Sequence, residues 1–293
     1  MSLTQWFKDF CGKLPPDSAK RASIADRTAR ITRRLNTDFR DTTSDSAHRF
    51  YAGSYGRNTA IASISDIDLM YVLPYDVYKK YDAYESNGQS ALLQAVRASL
   101  NTTYPNSPVV GDGQVVKISF TDEIVYEIVP CFLNKDESYT YPNANNGGTW
   151  QVCSPKLEIN AFAMRNVDYN YNLVELGRMA RAWRDFNNVN ISGMLIDTLA
   201  YQFIDTWGSR DKSYLYYDWM TRDFFEYLGA QDRTQDHWRA PGSGSWVRRT
   251  GSFELRARAA HLLAVDAIEN VRQEQFWAAK NKFRQIYGAS FPE

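Results

Sequence analysis

Apolar positions recur at helical spacing through residues 17–41, where Ile24, Ile31, Leu35 and Phe39 form one stripe interrupted only by Thr28. Pro15 and Pro16 precede the stripe, and Asp17 or Ser18 can cap it, so a long helix is expected there. The pattern then shortens. Residues 49–52 and 67–73 read as strands separated by a Gly-Ser loop, and residues 91–101 as a short helix. Residues 115–120 alternate in and out, a Thr-Asp-Glu turn follows, and 124–132 run back, which predicts a β-hairpin. The polar, Asn- and Gly-rich stretch 134–150 reads as a loop. Beyond about residue 155 the period becomes helical, over 172–186, 192–207, 217–229 and 253–286. Within that half, Arg-Ala-Pro-Gly-Ser-Gly-Ser-Trp at 239–246 reads as a flexible connector. A mixed α/β first half is thus expected to meet an all-helical second half, with no internal repeat.

Composition adds few constraints. The 293 residues can build a sizeable core, and 44% apolar with 23% charged residues is the balance of a soluble globular protein. Formal net charge is zero, so no global field draws the chain to nucleic acid or to an anionic membrane. Arginine outnumbers lysine, 23 to 11, which leaves room for local phosphate binding. Cys11, Cys131 and Cys153, with His48, His237 and His261, show no zinc spacing and no disulfide framework. With no long apolar run near the N-terminus and none long enough to span a bilayer, a cytoplasmic protein with free thiols is expected.

The candidate chemistry lies in Asp66-Ile67-Asp68. Residues two apart on a strand share a face, about 6.5 to 7 Å apart, so these acids project together, opposite Ile67 and Leu69. Two ionised carboxylates side by side repel unless a cation lies between them. Such hard oxygen pairs suit Mg²⁺ when it also takes substrate phosphate oxygens. A solvated strand end would be the bland alternative, but Leu-Met-Tyr-Val-Leu follows, too apolar for an exposed edge. Glu127 stands between Val125 and Val129 on its strand face and needs a partner, a metal ion or an arginine. Taken together, Asp66, Asp68 and Glu127 are expected to form a three-carboxylate metal site. Gly53 permits close backbone approach to a phosphate, and Ser54 adds a hydroxyl.

Gly53-Ser54, then Asp66-x-Asp68, then an acid on a later strand resembles the DNA polymerase β-like nucleotidyltransferases. The stretch GSYGRNTAI…SDIDLMYVLP is similar to the branch that holds cGAS, oligoadenylate synthases and bacterial CD-NTases. LGRMARAWRDFNNVNISGMLIDTLAYQF resembles that family's helical domain, and WAAKNKFRQIYGASFP its C-terminal helix and Gly-x-x-Phe-Pro close. The resemblance implies an α+β fold: a small mixed sheet with helices at 1–154, braced by the N-terminal helix, packed on a helical lobe at 155–293 with the cleft between. Two departures stand out. The family's third ligand is commonly Asp rather than Glu127, and Arg181 stands where related chains commonly carry a phosphate-binding lysine.

The resemblance further implies two Mg²⁺ ions, replaceable by Mn²⁺, on Asp66, Asp68 and Glu127. Gly53 and Ser54, with Arg181 and Ser192, would contact the triphosphate. ATP and GTP are the implied donors. The implied product is a purine cyclic dinucleotide for CBASS-type antiphage signalling, acting on a separate effector protein; a regulatory partner is left unidentified. Tyr55, Tyr201 and Trp207 offer surfaces for base stacking. Three alternatives remain open: a linear oligonucleotide synthase, an RNA-tailing enzyme and a nucleotide-binding pseudoenzyme. The cysteine and histidine census speaks against a zinc-bearing DNA sensor.

Overall fold

The computed structural model describes residues 2–293, which divide into two compact units. A sheet-bearing unit comprises residues 17–56 and 63–156; a helical unit comprises the residues up to 16, then 57–62 and 157–293. The change after Lys156 falls close to the boundary expected from the pattern. Residues 2–16 and the segment 57–62 group with the helices instead.

Helix α1 (Leu3–Lys13) is part of the helical unit. The sheet-bearing unit starts with α2 (Ser18–Arg40), capped by the Asp17 carboxylate, which accepts from the Lys20 amide at 2.7 Å, and closed by left-handed Asp41. Next come β1 (Arg49–Tyr51), the single turn α3 (Gly53–Gly56) and β2 (Asp66–Val72). They are followed by α4 (Tyr75–Asp82), α5 (Gly88–Thr103), β3 (Val109–Asp112), β4 (Val115–Ser119) and β5 (Val125–Leu133). The hairpin β6 (Tyr139–Asn143) and β7 (Thr149–Cys153) completes the sheet. Strand order is β1-β2-β5-β4-β3, with β6 pairing to β5 and to β7; β2 and β5 run parallel and the other pairs antiparallel.

One sheet face is the apolar one. Ile67, Leu69 and Tyr71 of β2 and Tyr126 and Ile128 of β5 are buried in one cluster with Ile24, Ile31 and Leu35 of α2 and with Leu92, Val96 and Leu100 of α5. The lone polar residue of the α2 stripe finds its partners there. Thr28 Oγ1 lies 3.0 Å from the Tyr126 hydroxyl and accepts from the Tyr51 hydroxyl at 2.8 Å, so burying it leaves nothing unsatisfied. The other face carries Asp66 and Asp68 and then, further along β2, Met70 in a small apolar cluster with Ala52, Cys131 and Tyr139.

The stretch 134–150, expected to be a loop, contains β6 and the start of β7. Its asparagines and glycines shape the hairpin turn instead of abolishing the strands. Gly148 has φ +93°, and a Cβ there would meet Gln89 Oε1 at 2.4 Å.

The helical unit holds α1, α6 (Pro155–Asp168), which starts at the change of unit, α7 (Asn172–Phe186), α8 (Gly193–Thr206) and α9 (Tyr217–Gly229). A small hairpin of β8 (His237–Arg239) and β9 (Trp246–Arg248) precedes α10 (Glu254–Arg272) and α11 (Phe276–Tyr287). The single helical pattern at 253–286 is two helices, broken at left-handed Glu274, where the Gln275 amide folds back to the Asn270 carbonyl at 2.8 Å. The connector 239–246 is the β8–β9 turn, and it is held: Ser243 donates to the Glu158 carboxylate at 2.8 Å, and a Cβ at Gly242 would strike the Leu157 carbonyl at 2.2 Å.

The two chain ends share this unit's core. Phe7 lies 5.1 Å from Phe283 and 5.3 Å from Phe291, and Phe10 lies 4.7 Å from Tyr287. Cys11 and Cys131 are buried thiols whose pKa values burial pushes up, and neither they nor Cys153 form a disulfide. Among the described residues, no helix is long and apolar enough to cross a membrane.

Candidate active site

The Gly-Ser turn and the aspartate pair are joined by backbone geometry. Strand β1 pairs antiparallel with β2, and the ladder's last bond runs from the Ala52 amide to the Asp68 carbonyl at 2.9 Å. The chain then turns at Gly53, with φ +56°, into the single turn α3, which closes with the Gly56 amide on the Ala52 carbonyl at 2.8 Å. Only glycine suits this place, for two reasons. A left-handed backbone disfavours a side chain, and a Cβ would lie 1.8 Å from Asp68 Oδ2. Gly53 therefore lets the Asp68 carboxylate lie directly against the turn that carries Ser54.

Register does the rest. Along the parallel β2–β5 ladder Asp66 faces Val125 and Asp68 faces Glu127. Along β4–β5, Glu127 faces Lys117. Aligned residues of neighbouring strands present side chains to the same face, so Asp68, Glu127 and Lys117 form one row across three strands, with Asp66 two residues further along β2. Asp66 is exposed, and its Oδ2 accepts from the Ser65 hydroxyl at 3.1 Å.

The protein partner of Glu127 is a lysine where an arginine was the expected one. Glu127 Oε1 lies 3.1 Å from Lys117 Nζ, which also lies 2.7 Å from Asp112 Oδ2. The two carboxylates hold the Lys117 ammonium firmly protonated, its pKa raised above the usual lysine value by hydrogen bonds first to Asp112 and then to Glu127. Pairing about the Thr-Asp-Glu turn sets Ser119 opposite Val125 and so Lys117 opposite Glu127. That signal was present in the sequence.

Arg181 and Ser192 belong to the helical unit. Arg181 is only 3% exposed. Its guanidinium donates to Asp197 Oδ1 at 2.6 Å and Oδ2 at 2.8 Å, and to the Gly177 and Gly193 carbonyls at 3.1 and 3.0 Å. The same Asp197 accepts from Arg57 Nε at 2.8 Å and from Thr59 Oγ1 at 3.0 Å. Burial alone would raise the Asp197 pKa, but Arg181 and Arg57 more than offset it and hold the acid below the usual carboxylate range. Arg181 is thus buried, with its guanidinium engaged by the Asp197 carboxylate and two backbone carbonyls. Ser192 is the N-cap of α8, its hydroxyl accepting from the Leu195 amide at 3.1 Å. Arg57, Thr59 and Asp197 were not singled out in the sequence, since nothing local links residues 57 and 197.

The aromatic candidates divide. Trp207 is core: it is buried, stacks on Phe203 at 6.0 Å, and donates through Nε1 to Asp223 at 2.9 Å. The Tyr201 hydroxyl accepts from Arg165 at 3.0 Å, and Tyr55 lies edge-on to Tyr51 at 4.8 Å.

Among the described residues, no three histidine, cysteine or carboxylate side chains gather closely enough to hold one ion. The aspartate pair still fits a Mg²⁺ that draws its remaining ligands from water and a bound triphosphate, since that ion commonly uses one or two carboxylates. The bare Cα of Gly53 lets the Asp68 carboxylate pack directly against the turn that would meet the phosphates.

Comparison with known proteins bears on family and fold. Residues 1–166 match the model of the Second Messenger Oligonucleotide or Dinucleotide Synthetase domain. A probable cyclic nucleotide synthase from Bacillus cereus is 22% identical over 206 residues, and the match spans 60% of each chain. The Vibrio cholerae DncV cyclic AMP-GMP synthase, solved with the linear intermediate 5′ pppA(3′,5′)pG, superposes with a TM-score of 0.72 at 14% identity, covering 99% of this chain and 96% of that one. CdnC of Escherichia coli MS115-1, solved in a complex with HORMA-deltaN, gives 0.70 at 16% identity, covering 99% and 98%. At such identities the structural likeness is one of fold. The domain match covers more than half of the chain and places this protein in the Second Messenger Oligonucleotide or Dinucleotide Synthetase family.

Proposed function

We propose that this protein is a nucleotidyltransferase that joins ribonucleoside triphosphates, ATP and GTP, into a purine cyclic dinucleotide that serves as a second messenger for a separate antiphage effector. The observation that carries the reading is the packing of Gly53 against Asp68, with Asp66 two residues along on the same face. Family membership supports the reaction class, and the linear pppApG bound to the DncV relative supports purine triphosphates as substrates.

In this reading Asp66 and Asp68 hold Mg²⁺, with Glu127 beside them as third acid. Bound there, Mg²⁺ would supply charge neutralisation to the triphosphate and acidify the acceptor hydroxyl. The chain's own residues do the positioning. Gly53 brings the turn close to the acids, and its neighbouring amides with the Ser54 hydroxyl would orient the β- and γ-phosphates. The acceptor hydroxyl then attacks the α-phosphorus in line and pyrophosphate departs. A second such attack within the linear product closes the ring.

The test incubates the purified protein with all four ribonucleoside triphosphates and Mg²⁺ or Mn²⁺, then treats the mixture with phosphatase. A small phosphatase-resistant product, identified by mass as a purine cyclic dinucleotide, is expected. A ladder of linear products would replace this reading with a linear synthase.

A further inference from the structure

The row on the sheet poses a charge problem. Asp68, Glu127 and Lys117 are aligned across β2, β5 and β4, with Asp66 further along β2 and Asp112 of β3 opposite Val115, so four acids share this face with the Lys117 ammonium. That cation is not evenly shared. Lys117 Nζ sits 3.1 Å from Glu127 Oε1 and 2.7 Å from Asp112 Oδ2, pinned from the far side by an acid of β3. Glu127 is thus tied to a cation of β4, and among the described residues no three-carboxylate cluster forms.

We propose that Lys117 is a positioning residue that sets the cation affinity of the aspartate site, holding the Glu127 carboxylate toward β4 so that only Asp66 and Asp68 are left to claim a divalent ion. The inference rests on the reading of Asp66 and Asp68 as ion ligands and goes beyond it by assigning Lys117 and Asp112 a part in the site. Lys117 stands in for an ion at the third acid. Remove its charge, and the partly exposed Glu127 carboxylate loses its cation, with a divalent site beside it as the nearest remedy. The register keeps Glu127 beside Asp68 whatever Lys117 becomes, so the acid stays within reach.

The test measures Mn²⁺ binding to the intact protein without nucleotide, from the electron paramagnetic resonance signal of free Mn²⁺. Lys117→Met is expected to tighten binding about tenfold. Lys117→Arg, which keeps the cation, is expected to leave it within about twofold of the unmodified protein. The gain from Lys117→Met is expected to fall below about threefold when Glu127→Gln is already present. This last comparison separates positioning of Glu127 from mere loss of a nearby positive charge, which would tighten binding equally in both backgrounds. Far-ultraviolet circular dichroism checks that each variant is folded. Unchanged or weaker Mn²⁺ binding in folded Lys117→Met overturns the proposal, as does an equal gain in both backgrounds. If Asp66→Asn with Asp68→Asn binds Mn²⁺ as the unmodified protein does, the underlying assignment of the aspartates fails instead, and the Lys117 proposal falls with it.

Discussion

Replacing Asp197 with asparagine tests how the helical unit is held together. The Asp197 carboxylate is fully buried and accepts two bonds from Arg181, one from Arg57 and one from Thr59. Asparagine keeps the shape but removes the charge, and one of its two head atoms becomes a donor facing guanidinium donors. Two arginines, 6% and 3% exposed at their side chains, would then lack their shared anion; Glu158, 3.9 Å from Arg57, is the remaining acid nearby. Breaking a buried ion pair from one side costs about 3–5 kcal/mol. The loss should appear as a drop in the urea midpoint followed by helical ellipticity, at about 3 kcal/mol or more, with the m-value unchanged. A triple variant, Arg57→Met, Arg181→Met and Asp197→Leu, is expected to recover most of that loss, because an apolar trio of similar volume leaves neither arginine buried without its anion, while Glu158 keeps the Ser243 hydroxyl. A change below about 1 kcal/mol in Asp197→Asn would refute the reasoning. So would a triple variant less stable than Asp197→Asn.

Gly53→Ala places a Cβ 1.8 Å from Asp68 Oδ2 on a left-handed backbone, so the carboxylate must swing away. Product formation is expected to fall about a hundredfold, while thermal unfolding shifts by only about 1–2 kcal/mol; an active variant with a normal rate would contradict the packing argument. Asp218 is buried, and burial pushes its pKa up to about 6 from 3.8, only partly countered by the Trp219 amide that donates to it. Its folded-state pKa is raised, so the folded protein binds that proton more tightly, and stability from this group is lost as pH rises from about 4 to about 6, by at most about 3 kcal/mol. Asp218→Asn should therefore raise stability at pH 7.5 and flatten that part of the pH profile in urea titrations; a variant destabilised at pH 7.5 and unchanged at pH 4 would reverse the sign.

Much of this molecule was legible in its residues because the signals were local. The α2 stripe, the turn between β4 and β5, and the alternation that puts Asp66 and Asp68 on one face each lie within a few residues of chain. The β6–β7 hairpin was hidden because its turn residues dominate a short polar stretch, and α4 because its eight residues follow Pro74 without a clear stripe. The break between α10 and α11 depends on one non-glycine residue turning left-handed, which carries no compositional mark. The partner of Glu127 could have been read from hairpin register, whereas the Arg57–Asp197–Arg181 cluster joins segments 140 and 16 residues apart and emerges only from the tertiary fold. Arg181 looked like a phosphate ligand by position; burial beside an acid gives it a different task.

The account turns on two side chains. Unmodified protein and the Asp66→Asn, Asp68→Asn double variant, both folded by circular dichroism, should be incubated with α-³²P-labelled ATP, with GTP and Mg²⁺, and their phosphatase-treated products separated by chromatography. A labelled, phosphatase-resistant dinucleotide from the unmodified protein and none from the double variant is the expected result. The same product at a comparable rate from both would contradict the assignment of these aspartates as the reaction's centre.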